Sequence, residues 1–343
     1  MGVEEEFLLL DPDGAVAPAA PDVIRRTGGD ERIKPEYMAY QLETATSVCT
    51  GLGELRRELS RLRLTTAEAA EAAGAYLVAS GAPPFRAGPL GALSADDRYR
   101  VLAERFPEAT AAGGTCGCHV HIGIPDRELA TAVLSRIRPW LPALLALTVN
   151  SPVYGDNDTG WASFRYQNQL HWPTFRPPDV WPDAGSYDRE VRSLVASGTA
   201  VDASGVYFLA RLSARYPTIE VRVADTGLEV DDTVLLAGVT RALVATLIED
   251  IRRRDKLLPA PRQLVSEQLL AVARGGVLRT ARLLQKITPQ LDAAGDTGEV
   301  YAGIERLRRE GTGAQRQRRL WQRYGPTSGF VGALAAGTVP VRI

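Results

Sequence analysis

In four short stretches of this chain, ionisable side chains recur at every second position with apolar ones between them. They are Val3-Glu-Glu-Glu-Phe7, Tyr40-Gln-Leu-Glu43, Cys116-Gly-Cys-His-Val-His-Ile-Gly-Ile124 and Ile219-Glu-Val-Arg-Val223. Side chains alternate across a β-strand with period two, so Glu4 and Glu6 share a face, as do Gln41 and Glu43, His119 and His121, and Glu220 and Arg222. The opposite faces carry Val, Phe, Leu, Cys and Ile, as a core requires. For any one stretch, a half-buried strand with its polar side in water explains the pattern. Together they point elsewhere, because solvated faces mix hydroxyls and lysines whereas this set offers Glu4, Glu6, Glu43 and Glu220. Four like charges in one sheet repel strongly unless cations bridge them. Oxygen ligands with an occasional imidazole suit Mg²⁺ or Mn²⁺.

Cys116-x-Cys118-His119-x-His121 has the look of a zinc quartet. On a strand, however, the cysteines point one way and the histidines the other, so one tetrahedral ion could not collect all four. The cysteines read as small core residues in line with Val120, Ile122 and Ile124. Gly117 and Gly123 flank the histidines and leave room for a close approach to the backbone.

The chain resembles one family throughout: the carboxylate–amine ligases of the second glutamate–cysteine ligase type. The resemblance rests on Gly2-Val-Glu-Glu-Glu-Phe7, Gln41-x-Glu43-Thr-Ala-Thr46, Cys116-Gly-Cys-His-Val-His-Ile-Gly123, Arg138-Pro-Trp-Leu-Pro142 and Asn150-Ser-Pro152. It continues through Asp158-Thr-Gly-Trp-Ala-Ser-Phe-Arg165, Ala214-Arg-Tyr-Pro-Thr-Ile-Glu-Val-Arg-Val-Ala-Asp225 and Gly311-Thr-Gly-Ala-Gln-Arg316. It implies an α+β fold of the glutamine synthetase and guanidino kinase kind, a curved, mainly antiparallel sheet with the active site on its concave face and helices on the back. It also implies ATP and Mg²⁺ (or Mn²⁺) as cofactors, and amide formation through an acyl phosphate. Metal-bound carboxylates then neutralise the triphosphate while the protein supplies positioning.

Carried over position by position, the resemblance makes Glu4, Glu6, Glu43, Glu220 and His119 metal ligands, with Glu36 a weaker candidate. Arg222, Arg211, Arg215 and His121 fall to the nucleotide, and Arg222, Arg165 and His119 to catalysis. Arg165 is expected to grip a substrate carboxylate with its two-pronged guanidinium. Gln41, Gln169, His171 and Leu209 complete the expected substrate-binding set.

The chain departs from the family pattern at clustered positions. Leu209 and Leu212 stand where most relatives carry Asp and Pro, Gln169 and His171 where Trp and Arg are usual, and Phe175 and Arg176 where small residues are usual. The metal-binding strands show no such change. The pattern predicts a specialised amino-acid-like substrate, with glutamate–cysteine ligation proper or a guanidino-kinase-like phosphotransfer as alternatives. A catalytically idle binding protein is disfavoured, since an idle site has no reason to keep four adjacent like charges. On the sequence alone, Glu220→Gln is expected to abolish ligation at little cost in stability.

The proposed site draws on residues from 4 to 222 of 343, which favours a single catalytic domain over 1–343, its part from about 231 largely helical. Forty basic against 41 acidic residues give no reason to expect a nucleic-acid partner, and no apolar run approaches a membrane span. The partners expected are small carboxylates and amines, with room for a homo-oligomer. Three cysteines and a start that runs directly into the first strand predict a reducing, cytoplasmic setting. Helices are expected over 54–73, over 128–149 with a kink at Pro139 and Pro142, and from a cap at Asp231-Asp232 to about Asp255. Tyr76 to Ser80 reads as a strand.

Overall fold

The computed structural model describes residues 1–257, 260–276 and 280–340. In chain order its strands are β1 (Gly2–Leu10), β2 (Ile33–Pro35), β3 (Gln41–Ala45), β4 (Tyr76–Val78), β5 (Gly117–Gly123), β6 (Val153–Tyr154), β7 (Asn157–Asp158), β8 (Ala210–Leu212) and β9 (Thr218–Asp225). The main sheet has the order β2-β3-β1-β5-β9-β8, with β4 paired to the far end of β1, and β6-β7 forms a separate ribbon. Every pairing is antiparallel. The four patterned stretches are thus the adjacent strands β3, β1, β5 and β9.

Register decides which side chains meet, because directly opposed residues on antiparallel strands share a face. Glu6 lies opposite Glu43, Glu4 opposite His119, and His121 opposite Glu220, which in turn faces Arg211. Between Cys118 and Val120 the β5–β9 register slips: Cys118 pairs with Ala224 and Val120 with Val221. The extra residue in β9 is a bulge, which flips the alternation beyond it. Asp225 therefore lies opposite Gly117 on the functional side.

The other side is covered by the helices Leu52–Ala72 and Val230–Arg252, whose Leu55, Leu59, Leu235 and Val239 pack in one cluster with Val3, Val120, Val221 and Val223. Each fully buried aliphatic side chain contributes about 1.5–3 kcal/mol. This back face is not purely apolar, contrary to the pattern read from β1. Glu5 points into it and is fully buried against Arg63, with hydrogen bonds of 2.6 and 3.0 Å. Arg63 also donates to the carbonyls of Gly227, Leu228 and Thr338, and the Thr233 hydroxyl donates to Glu5 at 2.5 Å. Every acceptor around the guanidinium is matched, which is what allows a charge there.

Other helix boundaries follow local chemistry. The segment after Asp126 is a helix over Arg127–Ile137, a 3₁₀ turn over Arg138–Trp140 and a helix over Leu141–Thr148, so the break falls at Pro139 as its missing N–H requires. The long helix is capped by Glu229 rather than by Asp231 or Asp232. Asp232 occupies the third helical position in a capping box, and Arg306 and Arg316 converge on its buried carboxylate. Beyond it lie Arg262–Ala273, Ala281–Ala294, Thr297–Glu310, Gly313–Tyr324 and Ser328–Thr338, the helical C-terminal part the sequence predicts.

Replacing Arg63 by Leu strands the Glu5 carboxylate in the core. The expected loss is about 3–5 kcal/mol in urea unfolding. A double variant with Glu5→Leu should recover much of it, and equal stability of the single variant and the wild type would contradict the role given to this pair.

Candidate active site

On the face of the sheet opposite the covering helices, three overlapping groups could hold a metal ion, the atoms of each within 4.8 Å of one another: Glu4, His121 and Glu220; Glu4, Glu43 and His119; and Glu6, Glu36 and Glu43. Glu4 and Glu43 belong to two groups each. The buried Nε2 atoms of His119 and His121 make no well-formed hydrogen bond within the protein and lie 3.6 Å from Glu6 and 3.3 Å from Glu4. Imidazole nitrogens aimed into a carboxylate cluster in this way fit a cation shared with those carboxylates. Oxygen-rich donor sets of this kind suit Mg²⁺ or Mn²⁺.

The electrostatics divide the carboxylates in two. Burial and then the charge of Glu6 push Glu36 up to about 7. Burial and then the charges of Glu4, Glu36 and Glu6 hold Glu43 well above the ordinary carboxylate range. Burial opposes ionisation of Glu4 too, but hydrogen bonds and charge from His119 and His121 outweigh it and draw its pKa down. Glu220 is likewise buried yet held low by Arg222 and Arg211. Arg211 grips it with two bonds of 2.7 and 3.0 Å, and Arg222 contacts it and His119 Nδ1, the latter at 3.2 Å. Burial and the nearby Arg222 charge lower the His119 pKa, favouring the neutral ring a metal needs.

Two compartments flank this array. The outer one is lined by Gly2, Glu4, Lys34, Glu43, Thr46, His121, Arg211, Arg215, Tyr216 and Glu220. The inner one is lined by Glu6, Glu36, Gln41, Arg98, Arg165, Gln169, Arg222 and a set of aromatic rings. Arg165 passes beneath Gly117, where any Cβ would lie 2.4 Å from its Nη2, so a side chain at this position would push the guanidinium out of place. Its guanidinium approaches the carbonyls of Arg222 and Val223 and lies 4.0 Å from Asp225, with Nε buried and unpaired. Asp225 accepts hydrogen bonds from the Asn150 N–H and the Ser151 and Ser163 hydroxyls, and Ser163 caps the short helix Phe164–Gln169 that carries Arg165. Gln317, in the helix that follows Gly311-Thr-Gly, donates to the carbonyl and side-chain oxygens of Asn150. The C-terminal and Asn150 motifs thus support Arg165 from outside the cleft.

Most of the residues singled out in the sequence come together here: Glu4, Glu6, Glu36, Glu43, His119, His121, Glu220, Arg211 and Arg222 on the array, with Arg215 at the outer rim and Gln41, Arg165 and Gln169 in the inner compartment. Gln41 is a floor residue, its amide bonded to the Thr115 carbonyl and the Met38 N–H. Two expected substrate residues are elsewhere. Leu209 is fully buried in the same core cluster as Phe208 and Val223, and His171 is exposed with its ring bonded to the Asn168 carbonyl. Arg176 also turns outward, to Asp179 and Glu190, while Phe175 lines the inner compartment. Arg98, Tyr99, Trp172, Tyr207 and Asp225 are site residues that strand periodicity did not single out. Cys116 and Cys118 are buried free thiols but do not share a face: Cys118 packs behind the sheet with Val3 and Val120, whereas Cys116, just before β5, packs with Leu8 and Tyr40 and accepts from the Gln41 amide at 3.4 Å.

The fold sets acidic side chains across one face of an antiparallel sheet. Two solved structures share it: glutamate–cysteine ligase from Francisella tularensis in complex with AMP (TM-score 0.68, 13% identity, 99% of this chain and 89% of that one) and a bifunctional glutathione synthetase from Pasteurella multocida (TM-score 0.68, 16% identity, 98% and 52%). Residues 1–337 match the model of glutamate–cysteine ligase family 2, and the chain belongs to that family. A "Putative glutamate--cysteine ligase 2" of Salinispora tropica is 41% identical over 361 residues, covering 99% of this chain and 95% of the relative. A "Putative glutamate--cysteine ligase 2-2" of Mycolicibacterium vanbaalenii is 40% identical over 358 residues, covering 99% and 98%. The chain is therefore an ATP-dependent carboxylate–amine ligase. Among the described residues no helix is long and apolar enough to cross a membrane.

Two outcomes follow from this geometry. Folding raises the pKa values of Glu36 and Glu43, so the folded protein binds more protons than the unfolded chain above their ordinary range, and stability falls as pH rises through the folded values. His119 acts in the opposite sense, but its contribution is complete by about pH 6.5, where the unfolded imidazole titrates. Metal-free protein should therefore lose thermal stability between about pH 6.5 and 8. Millimolar Mg²⁺ should flatten the decline by replacing the protons, whereas a metal-independent profile would count against the cation site. Leu209→Asp should unfold more easily by about 3–5 kcal/mol, because its carboxylate enters the core without a partner. A stable variant with altered substrate preference would instead place residue 209 at the cleft.

Proposed function

We propose that this ligase activates a small carboxylic acid as an acyl phosphate in the inner compartment, using ATP bound in the outer one, and then joins it to an amine. The observation that carries the reading is the position of the acidic array between the two compartments. Glu4, Glu43, His121 and Glu220 border the outer space, and Glu6 and Glu36 the inner. A phosphoryl group passing from one compartment to the other crosses the array. The fold is also that of the Francisella ligase, which binds AMP.

Glu4, Glu6, Glu43, Glu220 and His119, with Glu36 and His121 beside them, would hold Mg²⁺. When bound, Mg²⁺ neutralises the triphosphate and stabilises charge on the group in transfer. The protein's own side chains bind and orient. Arg222, fixed by Glu220 and His119, presents its remaining donors to phosphate oxygens or the incoming carboxylate. Arg165 holds the acid from below Gly117, and Arg215 and Lys34 supply positive charge at the outer rim. The acid's oxygen attacks the γ-phosphorus and the bridging bond to ADP breaks. The amine nitrogen then attacks the acyl carbon, phosphate leaves, and the nitrogen gives up a proton. Positioning and electrostatics account for most of the work.

The test is incubation with ATP, Mg²⁺ and panels of acids and amines, read for ADP and for condensed product by mass spectrometry. A phosphorylated guanidino compound in place of an amide would indicate phosphotransfer. Glu220→Gln is a poor probe, because it strands the buried Arg211 and Arg222 and so carries a stability cost that the sequence alone did not reveal. Glu43→Gln is better. It relieves crowding with Glu4, Glu6 and Glu36, so metal-free protein should be as stable as wild type or more so, while ligation falls about a hundredfold or further. Normal turnover in folded Glu43→Gln protein would remove Glu43 from the metal site.

A further inference from the structure

We infer that the inner compartment selects a carboxylic acid with a flat, unsaturated or aromatic body and no free ammonium group. The inference rests on the ligase reading above and adds to it the class of acid. Four rings form a continuous wall: Tyr37 meets Tyr99 at 5.4 Å between centroids and Trp172 at 5.9 Å, and Trp172 meets Tyr207 at 5.0 Å, all edge to face. Tyr99, Trp172 and Tyr207 are only partly buried and line the compartment, which leaves ring surface for a ligand. Aromatic walls of this kind favour flat partners by offset or edge-to-face contact.

The charges point the same way. Arg98, Arg165 and Arg222 line the space, and among the described residues the only carboxylates lining it are Glu6 and Glu36, both members of the ligand groups on the sheet. With cations bound there, an α-ammonium group has no carboxylate to meet. Rings can hold an ammonium group by cation–π contact, but here Arg222 already lies 5.9 Å from the Tyr207 ring centre and Arg98 lines the same space. The Thr115 carbonyl beside the floor is taken by the Gln41 amide. Arg98 is held by Asp202 at 2.6 and 3.1 Å and Arg222 by Glu220, so the carboxylate of a planar acid meets Arg165, whose Nε is unpaired, while its body lies along the rings.

The test traps the activated acid with hydroxylamine in the presence of ATP and Mg²⁺. The acid's oxygen takes the γ-phosphoryl group and ADP leaves. The hydroxylamine nitrogen then displaces phosphate and loses a proton, giving a hydroxamate that is read as its coloured ferric complex after quenching. Cinnamate and benzoate serve as flat acids, N-acetylglutamate as a non-planar acid without an ammonium group, and glutamate as the reference. The flat acids should exceed glutamate in kcat/KM by roughly a hundredfold, the scale of a missing charged partner. Gln169→Glu adds a carboxylate that can still bond the Thr115 hydroxyl, now as acceptor. It should raise the rate with glutamate at least about tenfold and lower it with cinnamate. Glutamate or N-acetylglutamate ahead of both flat acids in the wild type would overturn the inference and leave the ligase reading intact. Absence of ADP and hydroxamate with every acid would sink the ligase reading instead. Quenching of tryptophan fluorescence by cinnamate but not by glutamate would then still support the selectivity, and the reverse order would overturn it.

Discussion

A single buried guanidinium joins the parts of this protein that are far apart in sequence. Arg63 bonds Glu5 of the central strand, the carbonyls of Gly227 and Leu228 that lead into the helix over 230–252, and the Thr338 carbonyl at the end of the last helix. The Thr338 hydroxyl in turn accepts from the Ala79 N–H, just past β4. A buried ion pair adds little net stability over well-packed apolar groups, yet it is costly to break. Its effect is to allow one arrangement of sheet and helices. That arrangement holds β1 level, so Glu4 and Glu6 reach the front while Glu5 reaches Arg63.

The front of the sheet is the electrostatic counterpart. Glu220 is neutralised by Arg211 and Arg222, and Glu4 lies against the two imidazoles, but Glu36 and Glu43 are left with mostly like charge for company. Such a face is unfavourable in isolation, and a cation held there, as proposed above, would relieve it, linking metal affinity to folding stability. The wall around the inner compartment rests on a different network: Asp225, turned inward by the bulge in β9, ties Asn150, Ser151 and Ser163 together and seats Arg165.

Strand periodicity captures the clustering of Glu4, Glu6, Glu43, His119, His121 and Glu220 because side chains on one face of a sheet repeat every second residue, and adjacent strands bring those repeats into line. It cannot reach Arg98, Tyr99 or Trp172, which come from a short helix and a loop with no comparable repeat. The family resemblance, for its part, misplaces Leu209. That residue lies just before the short strand β8, where its carbonyl accepts from Arg222 N–H beside the bulge, so its orientation depends on a register slip written on another strand. Glu5 is misread for a related reason, since its partner is 58 residues away in a helix whose own pattern is simply amphipathic.

By itself the sequence determined the front-facing side chains of β1, β3, β5 and of β9 up to its bulge, the break at Pro139 and the helical C-terminal part, because these depend on local periodicity and on residues with restricted backbones. Tertiary structure alone decided the strand order, the bulge that brings Asp225 under Gly117, the split of the cleft into two compartments and the ring wall of the inner one. Those features arise from contacts between segments distant in the chain. No local pattern encodes a distance between two segments; packing and the matching of buried charges set it.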